Sequence, residues 1–313
     1  MFLLRRSLFS QRHFPKMRLQ RYCFFSNPTN FLREKCIICE FLCNIDCVEG
    51  AFARKNQNLL AFYSLIRTFV AMLVKTDAIV LHSLKYGETR LIVDLYTREV
   101  GRLSCVVPIP KTQKARLKKQ YFQPMTLLEV EVDLRQRLQL QKLKDARLLS
   151  AYASIPFSPE KLALSLFIAE FLYHALRSEQ QDAHLFAYLV DAMQWLDVAD
   201  KGYANFHLTF LMRMSRFLGF YPNLDDYVDG CVFDLRTATF SLLVPTHRDF
   251  LQPDDARRIH TLMRMDFPTM HLYRLNRTDR NRIVDVLLRY YQLHIPQFPE
   301  LKSLSVLQEL WAD

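Results

Sequence analysis

The sequence predicts an α+β fold with more than one domain: a small β-barrel, followed by a helical bundle that carries an inserted β-hairpin. Short β-branched and apolar runs follow one another from Met72 to about Arg147, as in a small all-β unit. Amphipathic helical runs follow from Pro156 onward. With 313 residues, the chain is long enough for two domains, or for two domains and a tail.

Residues 1–71 differ from the rest of the chain in charge and composition. They contain 11 Lys or Arg against four Asp or Glu, whereas the remaining residues contain 31 against 28. They have no acidic residue before Glu34 and are rich in Arg, Ser and Phe, as organellar transit peptides are. Alternatively, four closely spaced cysteines could hold a metal ion or an iron–sulfur cluster: Cys36, Cys39, Cys43 and Cys47.

A third interpretation is that residues 1–71 are a disordered leader, or lie upstream of a true start at Met72. The cysteine spacing is not that of a ferredoxin, and no second Cys/His pair follows to close a zinc site. Because the leader carries most of the net charge of +10, the functional residues are expected after it. The predicted domains are the leader at 1–71, the barrel at 72–150 and the helical domain at 151–313, with the hairpin at about 224–246.

Five β-strands are predicted in the first domain. Gly87 marks a turn after the first strand, and Thr97–Gly101 has the character of a hairpin connection between the second and third. Five short strands within about 75 residues indicate a small closed or half-closed barrel. The predicted strands are Thr76–Ser83, Leu91–Tyr96, Leu103–Val107, Met125–Val132 and Leu138–Leu143.

A basic segment, Lys111–Phe122, separates the third and fourth predicted strands. It contains no acidic residue and ends in the two aromatic residues Tyr121 and Phe122. Cations displace the counterions of a nucleic-acid backbone, and exposed rings can stack on bases, so the segment predicts a DNA-binding loop. The alternative is a solvated loop whose aromatic residues return to the core. The predicted DNA-binding residues are Lys111, Lys114, Arg116, Lys118 and Lys119, with Arg90 and Arg102 on the barrel as lesser candidates.

The second domain is predicted to be helical. Ser158 and Pro159 are typical of an N-cap and a first helical turn, so the first helix begins there. The pattern breaks between Tyr221 and Thr246, where Val232–Phe233 and Thr239–Val244 predict a β-hairpin. The further predicted helices are Ala183–Trp195, Tyr203–Leu218, Pro253–Met265 and Thr278–Tyr291.

The sequence lacks the motifs of the common catalytic sites. There is no G-x-S-x-G elbow, Walker lysine loop or G-x-G-x-x-G run, and the chain has only six glycines. We therefore expect no catalytic residues and no cofactor. Isolated Cys105 and Cys231, and the lack of any run of 18 apolar residues, favour a cytoplasmic protein without a membrane span. A metal-dependent nuclease remains a weaker alternative, based on Asp225, Asp226, Asp229 and Asp234.

Residues 72–313 resemble the bacterial DNA repair RecO family. The resemblance rests on three segments that occur in order: the opening strands with Thr76–Leu81, Tyr86–Glu88 and Thr97–Gly101, then Phe217–Leu224, then Ile295–Leu307. It implies an OB-fold barrel joined to a helical domain. It also implies a protein that binds single- and double-stranded DNA, anneals complementary strands and, with RecR, helps to exchange single-strand-binding protein for RecA, in a nucleoid-associated location.

The chain departs from zinc-bearing members of the family, which place four cysteines in a ribbon at the hairpin. Only Cys231 is present here, so we expect no metal in this degenerate ribbon. Packing of four apolar side chains would instead hold the hairpin: Val232, Phe233, Phe240 and Leu242.

The resemblance also implies a docking groove for the acidic, aromatic-ended tail of single-strand-binding protein. Arg213 and Arg216, which lie three residues apart on a predicted helix, are the candidate cations for its carboxylate. Alternatively, both arginines face solvent or pair with carboxylates at helix ends. The alternative function for the whole chain is a protein–protein adaptor with weak DNA affinity, which the basic Lys111–Lys119 segment argues against.

Overall fold

Five strands close into a β-barrel at the start of the described chain. The computed structural model describes residues 72–108, 117–135, 138–177 and 180–309. The strand order around the barrel is β1-β2-β3-β5-β4, and β4 pairs back onto β1. All five predicted strands are confirmed, with the bounds β1 Met72–Tyr86, β2 Arg90–Thr97, β3 Gly101–Pro108, β4 Leu127–Leu134 and β5 Leu140–Ser150.

One parallel pair closes the barrel, and every other pair in it is antiparallel. Ser104–Val106 of β3 run alongside Leu140–Lys142 of β5. In β3, Leu103, Cys105 and Val107 point into the barrel core, as the two-residue period of a strand requires. The short connection from β1 to β2 aligns Tyr86 with Arg90, so Arg90 lies at the end of the barrel where β3 also ends.

Three strands differ clearly in extent from the sequence prediction, and the first of them, β1, is longer than Thr76–Ser83 at both ends. Met125 was expected to begin β4, but its backbone has φ 63°, which an extended strand cannot contain. Its amide instead donates to the carbonyl of Val80, and β4 begins at Leu127. β5 continues past Leu143 to Ser150 because its residues go on pairing with β4, for example Ala146 with Val130 and Leu148 with Leu128.

Six helices occur in the remaining described residues. Ser158 caps the first helix as predicted, since its hydroxyl accepts from the amide of Lys161 at 3.3 Å. The four further predicted helices are confirmed with end shifts of a few residues, and a sixth near the C-terminus was not predicted as a helix. The bounds are α1 Pro159–Ala175, α2 Ala183–Val198, α3 Phe206–Phe217, α4 Pro253–Met263, α5 Arg277–His294 and α6 Ser303–Glu309.

The predicted hairpin is present between α3 and α4 and has a third strand. β6 (Val232–Asp234) pairs with β7 (Thr239–Ser241), and β8 (Phe250–Leu251) pairs with the other edge of β6. Asp234 organises the turn, because its carboxylate accepts from the amides of Arg236 and Thr237. We refer to these three strands as the inserted sheet.

Packing of the inserted sheet agrees with the prediction for three side chains and not for the fourth. Val232, Phe233 and Phe240 are buried in or beside the helical core. Leu242 is 69 % exposed, because β7 ends at Ser241 and the chain leaves the sheet there. The expectation that Leu242 holds the hairpin was therefore wrong. Among the described residues, no group of three or more His, Cys, Asp or Glu side chains could hold a metal ion, and no zinc ribbon is seen.

The barrel and the helices share a hydrophobic core. In β1, Val80 faces the barrel interior, whereas Ile79 and Leu81 pack into the core formed by the helices. Tyr96 of β2 stacks on Phe186 of α2, and its hydroxyl donates to a backbone carbonyl between α1 and α2 at 3.2 Å. All described residues belong to one compact unit. The structure therefore does not separate the two predicted domains, and their boundary at 150–151 remains a prediction.

Gly101 allows a close approach between the barrel and the connection from α1 to α2. Its φ is +78°, and a Cβ at this position would lie 2.6 Å from the backbone of Gln180. Only glycine fits without moving one of the two segments. No helix in the described part of the chain has the length and apolar character needed to cross a lipid bilayer.

Candidate nucleic-acid interface

A basic groove of about 640 Å³ lies on the barrel beside the junction of β3 and β5. Its floor is largely apolar, with Leu138 and Leu140 partly exposed, and its cations are Arg90, Arg135 and Lys142. We call this the barrel groove. Its lining residues come from the start of β2, the end of β3, the end of β4, the β4–β5 connection and the start of β5.

Strand pairing brings these cations together from distant parts of the sequence. Arg90 is aligned with Pro108 at the end of β3, and Val106 of β3 is aligned with Lys142 of β5. Arg135 follows β4 directly and reaches the groove from the β4–β5 connection. The β3–β5 pairing therefore builds the groove, and this pairing cannot be read from local sequence.

One carboxylate moderates the positive charge of the barrel groove. Asp133 is buried, and its Oδ2 lies 3.4 Å from the Arg135 guanidinium and 3.9 Å from the Lys144 ammonium. Both cations keep about half of their side-chain surface exposed. Cations still outnumber carboxylates among the residues that line the groove, so its net charge is positive.

Gln141 holds the connection that carries Arg135. Its side-chain oxygen accepts from the amide of Arg135 at 2.8 Å, and its side-chain nitrogen donates to the carbonyls of Arg135 and Leu138 at 3.0 and 2.5 Å. The side chain is buried, with the residue only 5 % exposed. The sequence analysis missed Arg135, Gln141 and Lys142; a basic Arg-Gln-Arg run at 135–137 was the available signal.

Only part of the predicted basic loop falls within the described residues. Lys118 and Lys119 are exposed at a short 3-10 turn, Lys119–Phe122. The predicted Lys111, Lys114 and Arg116 lie outside the described residues. Phe122 is buried in the barrel core, and Tyr121 packs against that core. This agrees with the alternative interpretation, in which the two aromatic residues pack into the core and do not face DNA. Phe122 therefore cannot stack on a base.

Arg102 lies at the contact between the barrel and α1. Its guanidinium is 3.4 Å from Asp94 and sits over the ring of Tyr173 at 4.8 Å, and only 13 % of its side chain is exposed. Burial lowers its pKa, and the carboxylate of Asp94 partly offsets that effect. This position gives Arg102 a packing role between two elements and leaves little of it to meet a phosphate. Arg90, by contrast, is exposed in the barrel groove.

The two arginines predicted to dock a partner tail both lie on α3. Arg213 forms an ion pair with Asp266 and donates to the carbonyl of Met265 at 3.4 Å. Arg216 lies 6.0 Å from the centre of the Tyr221 ring. One of the two is therefore already paired with a carboxylate, as in the alternative interpretation.

Two of the four acidic residues near the inserted sheet, Asp229 and Asp234, have ionic partners. Asp234 lies 3.3 Å from His247 Nε2 in addition to capping its turn, and Asp229 lies 3.4 Å from Arg257. Asp225 and Asp226 are exposed in a turn. Among the described residues, these four aspartates included, no group of three or more His, Cys, Asp or Glu side chains could hold a metal ion.

Comparison with known proteins gives matches that cover most of the chain. A family model described as recombination protein O N terminal matches residues 72–152, and one described as recombination protein O C terminal matches residues 156–305.

Relatives from several bacteria match over their full length. One from Bacteroides fragilis is 51 % identical and one from Phocaeicola vulgatus 48 % identical, each over 241 residues. A third, from Porphyromonas gingivalis, is 32 % identical over 246 residues. Each match covers 77 % of this chain and 100 % of the relative, and each relative is named DNA repair protein RecO. The chain therefore belongs to the recombination protein O, or RecO, family.

Proposed function

We propose that this chain is a DNA repair and recombination mediator. In this role it binds single- and double-stranded DNA, anneals complementary strands and, together with RecR, helps to load RecA onto DNA covered by single-strand-binding protein. The observation that carries the proposal is the barrel groove, where Arg90, Arg135 and Lys142 surround an apolar floor. The names of the full-length relatives support the repair role.

The barrel topology supports assignment to the OB-fold. An OB-fold is a five-stranded barrel that binds oligonucleotides on its second and third strands, between the β1–β2 and β4–β5 connections. Here the closed order β1-β2-β3-β5-β4 gives the same arrangement. The barrel groove includes the start of β2, the end of β3 and the β4–β5 connection, together with the end of β4 and the start of β5. It therefore overlaps the surface on which such a barrel binds its ligand.

The proposed mechanism is electrostatic and requires no catalytic group. Two complementary strands repel each other through their phosphates, and cations on the protein screen that repulsion while bases pair. Exposed Leu138 and Leu140 offer an apolar surface to an unpaired base without reading its hydrogen-bonding edge. The expected binding is therefore largely independent of sequence and depends strongly on salt.

The test is the salt dependence of binding to a labelled single-stranded oligonucleotide. Each lost phosphate contact should reduce the slope of log K against log salt by about 0.7. We expect lower slopes for the double variant Arg90→Ala/Lys142→Ala and for Lys118→Ala/Lys119→Ala, with melting temperatures close to that of the unmodified chain. Exposed Lys201 in the helical domain provides the control Lys201→Ala.

The measured salt slopes and affinities distinguish a DNA-binding mediator from a protein–protein adaptor. Slopes unchanged in both double variants would show that these cations do not contact DNA. Weak binding by the unmodified chain at all salt concentrations would favour the protein–protein adaptor instead.

We further propose that the helical domain docks the tail of single-strand-binding protein. The docking site must combine apolar walls with a cation, since the tail is acidic and ends in an aromatic residue. Arg213 and Arg216 are the predicted cations, although Asp266 already pairs with Arg213. A groove of about 370 Å³ between α4 and α5 is a second candidate, with Leu262 and Ile283 in its lining beside Arg257, Arg258 and Arg282. These three arginines also pair with carboxylates, those of Asp229, Asp279 and Asp255.

A peptide with acidic residues and a C-terminal phenylalanine distinguishes the two docking sites. If Arg216→Glu abolishes peptide binding and Arg282→Glu does not, the tail docks at α3. The opposite result places it between α4 and α5. Peptide binding that neither variant reduces would contradict docking at both sites, and DNA binding by the barrel should be unchanged in either variant.

A further inference from the structure

Gln141 uses both the oxygen and the nitrogen of its side-chain amide to hold the backbone of the β4–β5 connection. The oxygen accepts one hydrogen bond, from the amide of Arg135, and the nitrogen donates two, to the carbonyls of Arg135 and Leu138. The connection has one additional backbone hydrogen bond across it, from Leu138 to Arg135 at 3.1 Å. Within the described residues, Gln141 therefore supplies most of the polar contacts that fix this connection.

The two residues held by Gln141 are those that the connection contributes to the barrel groove. Arg135 provides a cation and Leu138 provides apolar floor. Arg135 is followed by only a few residues before β5 begins, so fixing its backbone limits where its guanidinium can lie. A preorganised cation loses less conformational entropy on binding than a free one.

We propose that Gln141 is a positioning residue for DNA, which sets the backbone geometry from which Arg135 meets a phosphate. This proposal rests on the proposed function of the barrel groove. Gln141 lines the groove, but it is buried, and both hydrogens of its side-chain amide are already donated to backbone carbonyls. It therefore has no hydrogen left to donate to a phosphate, and we expect its effect on DNA to pass through Arg135 and Leu138.

The chemistry of the site requires glutamine. Glutamate would keep an acceptor for the Arg135 amide, but its carboxylate has no hydrogen to donate and would face two carbonyl oxygens. Leucine would fill the space and leave the amide and both carbonyls without this partner. The two substitutions therefore remove the contacts in different ways, which keeps the test informative if one variant folds poorly.

The experiment measures binding of a single-stranded oligonucleotide to the full chain across a salt series. Gln141→Leu and Gln141→Glu should each bind on the order of tenfold more weakly, the effect of one charge-assisted hydrogen bond. The salt slope of Gln141→Leu should fall by about 0.7, to that of Arg135→Ala. Exposed Gln139, two residues away, gives the matched control Gln139→Leu, which should bind as the unmodified chain does.

A double-mutant cycle separates positioning from general destabilisation. If Gln141 acts through Arg135, the variant Gln141→Leu/Arg135→Ala should bind about as weakly as either single variant. Fully additive losses, or normal binding by both Gln141 variants while Arg135→Ala is impaired, would overturn the proposal. Normal binding by Arg135→Ala and by Arg90→Ala/Lys142→Ala would instead show that the barrel groove is not the DNA site, a failure of the proposed function itself.

Discussion

His207 is a buried imidazole on α3, packed edge-on against the ring of Phe167. Burial lowers its pKa to about 3, and the charge of Arg280 acts in the same direction. In the unfolded chain the imidazole titrates near its ordinary value of about 6.5. As the pH falls below that value, the unfolded chain binds a proton that the folded protein does not. His207 therefore reduces stability as the pH falls from 6.5 towards 3.

We predict that His207 costs about 2 kcal/mol of unfolding free energy at pH 5 relative to pH 7. Replacing it by glutamine should reduce the loss of stability between these pH values by that amount, as measured by denaturant unfolding. His184 is exposed on α2, so His184→Gln should keep the full pH dependence. An equal loss of stability in His207→Gln and the unmodified chain would contradict the assigned pKa.

The inserted sheet is held to the helices by packing and by ion pairs. Phe233 and Phe240 lie within the helical core, with their ring centres 4.7 Å apart. Asp249 joins the sheet to α5, because it lies 2.7 Å from Arg236 and 2.9 Å from Arg289. Hydrogen bonds from these two arginines lower the pKa of Asp249.

We predict that Phe240→Ala destabilises the protein by about 3 kcal/mol, since it removes a buried ring. Leu242→Ala, two residues along, should change the unfolding free energy by less than about 0.5 kcal/mol because Leu242 is exposed. Chemical denaturation of both variants measures the difference in unfolding free energy.

We also predict that a metal chelator leaves the melting temperature of the chain that starts at Met72 unchanged. A large decrease would mean that a metal stabilises it.

The sequence predicted elements well where their signal is local. The strands of the barrel, the Ser158 cap and the β6–β7 hairpin all follow from residues within a few positions of one another. β8 was missed because two residues have no periodicity of their own, and it forms only through pairing with β6. β4 starts late because Met125 takes a left-handed backbone conformation that its side chain does not indicate.

The candidate site was harder to predict, because it depends on contacts between distant segments. Arg90 was named from its position near a strand, but its neighbours Arg135 and Lys142 join it only through the parallel β3–β5 pairing. Arg102 has the same local character as Arg90, yet Asp94 and Tyr173 bury it. Two arginines with similar sequence surroundings thus differ in exposure, and only tertiary packing distinguishes them.

At the scale of the whole molecule, the family match begins at residue 72, where β1 also begins. We predict that a chain starting at Met72 folds and anneals complementary strands as well as the full chain does. The comparison should be made at salt high enough to screen the positive charge of residues 1–71. Marked loss of folding or annealing in the shorter chain would show that residues 1–71 contribute to the function, and the cysteine run at 36–47 would become the first segment to test.

Tyr96, Ile79 and Leu81 of the barrel pack into the same core as the helices, so separating the barrel from the helices would expose buried apolar surface to water. If a DNA strand binds in the barrel groove as proposed, we expect its release to occur without such a separation. The strand would leave when a complementary strand pairs with it or when another protein competes for its phosphates. The rate of release should then rise with the concentration of these competitors.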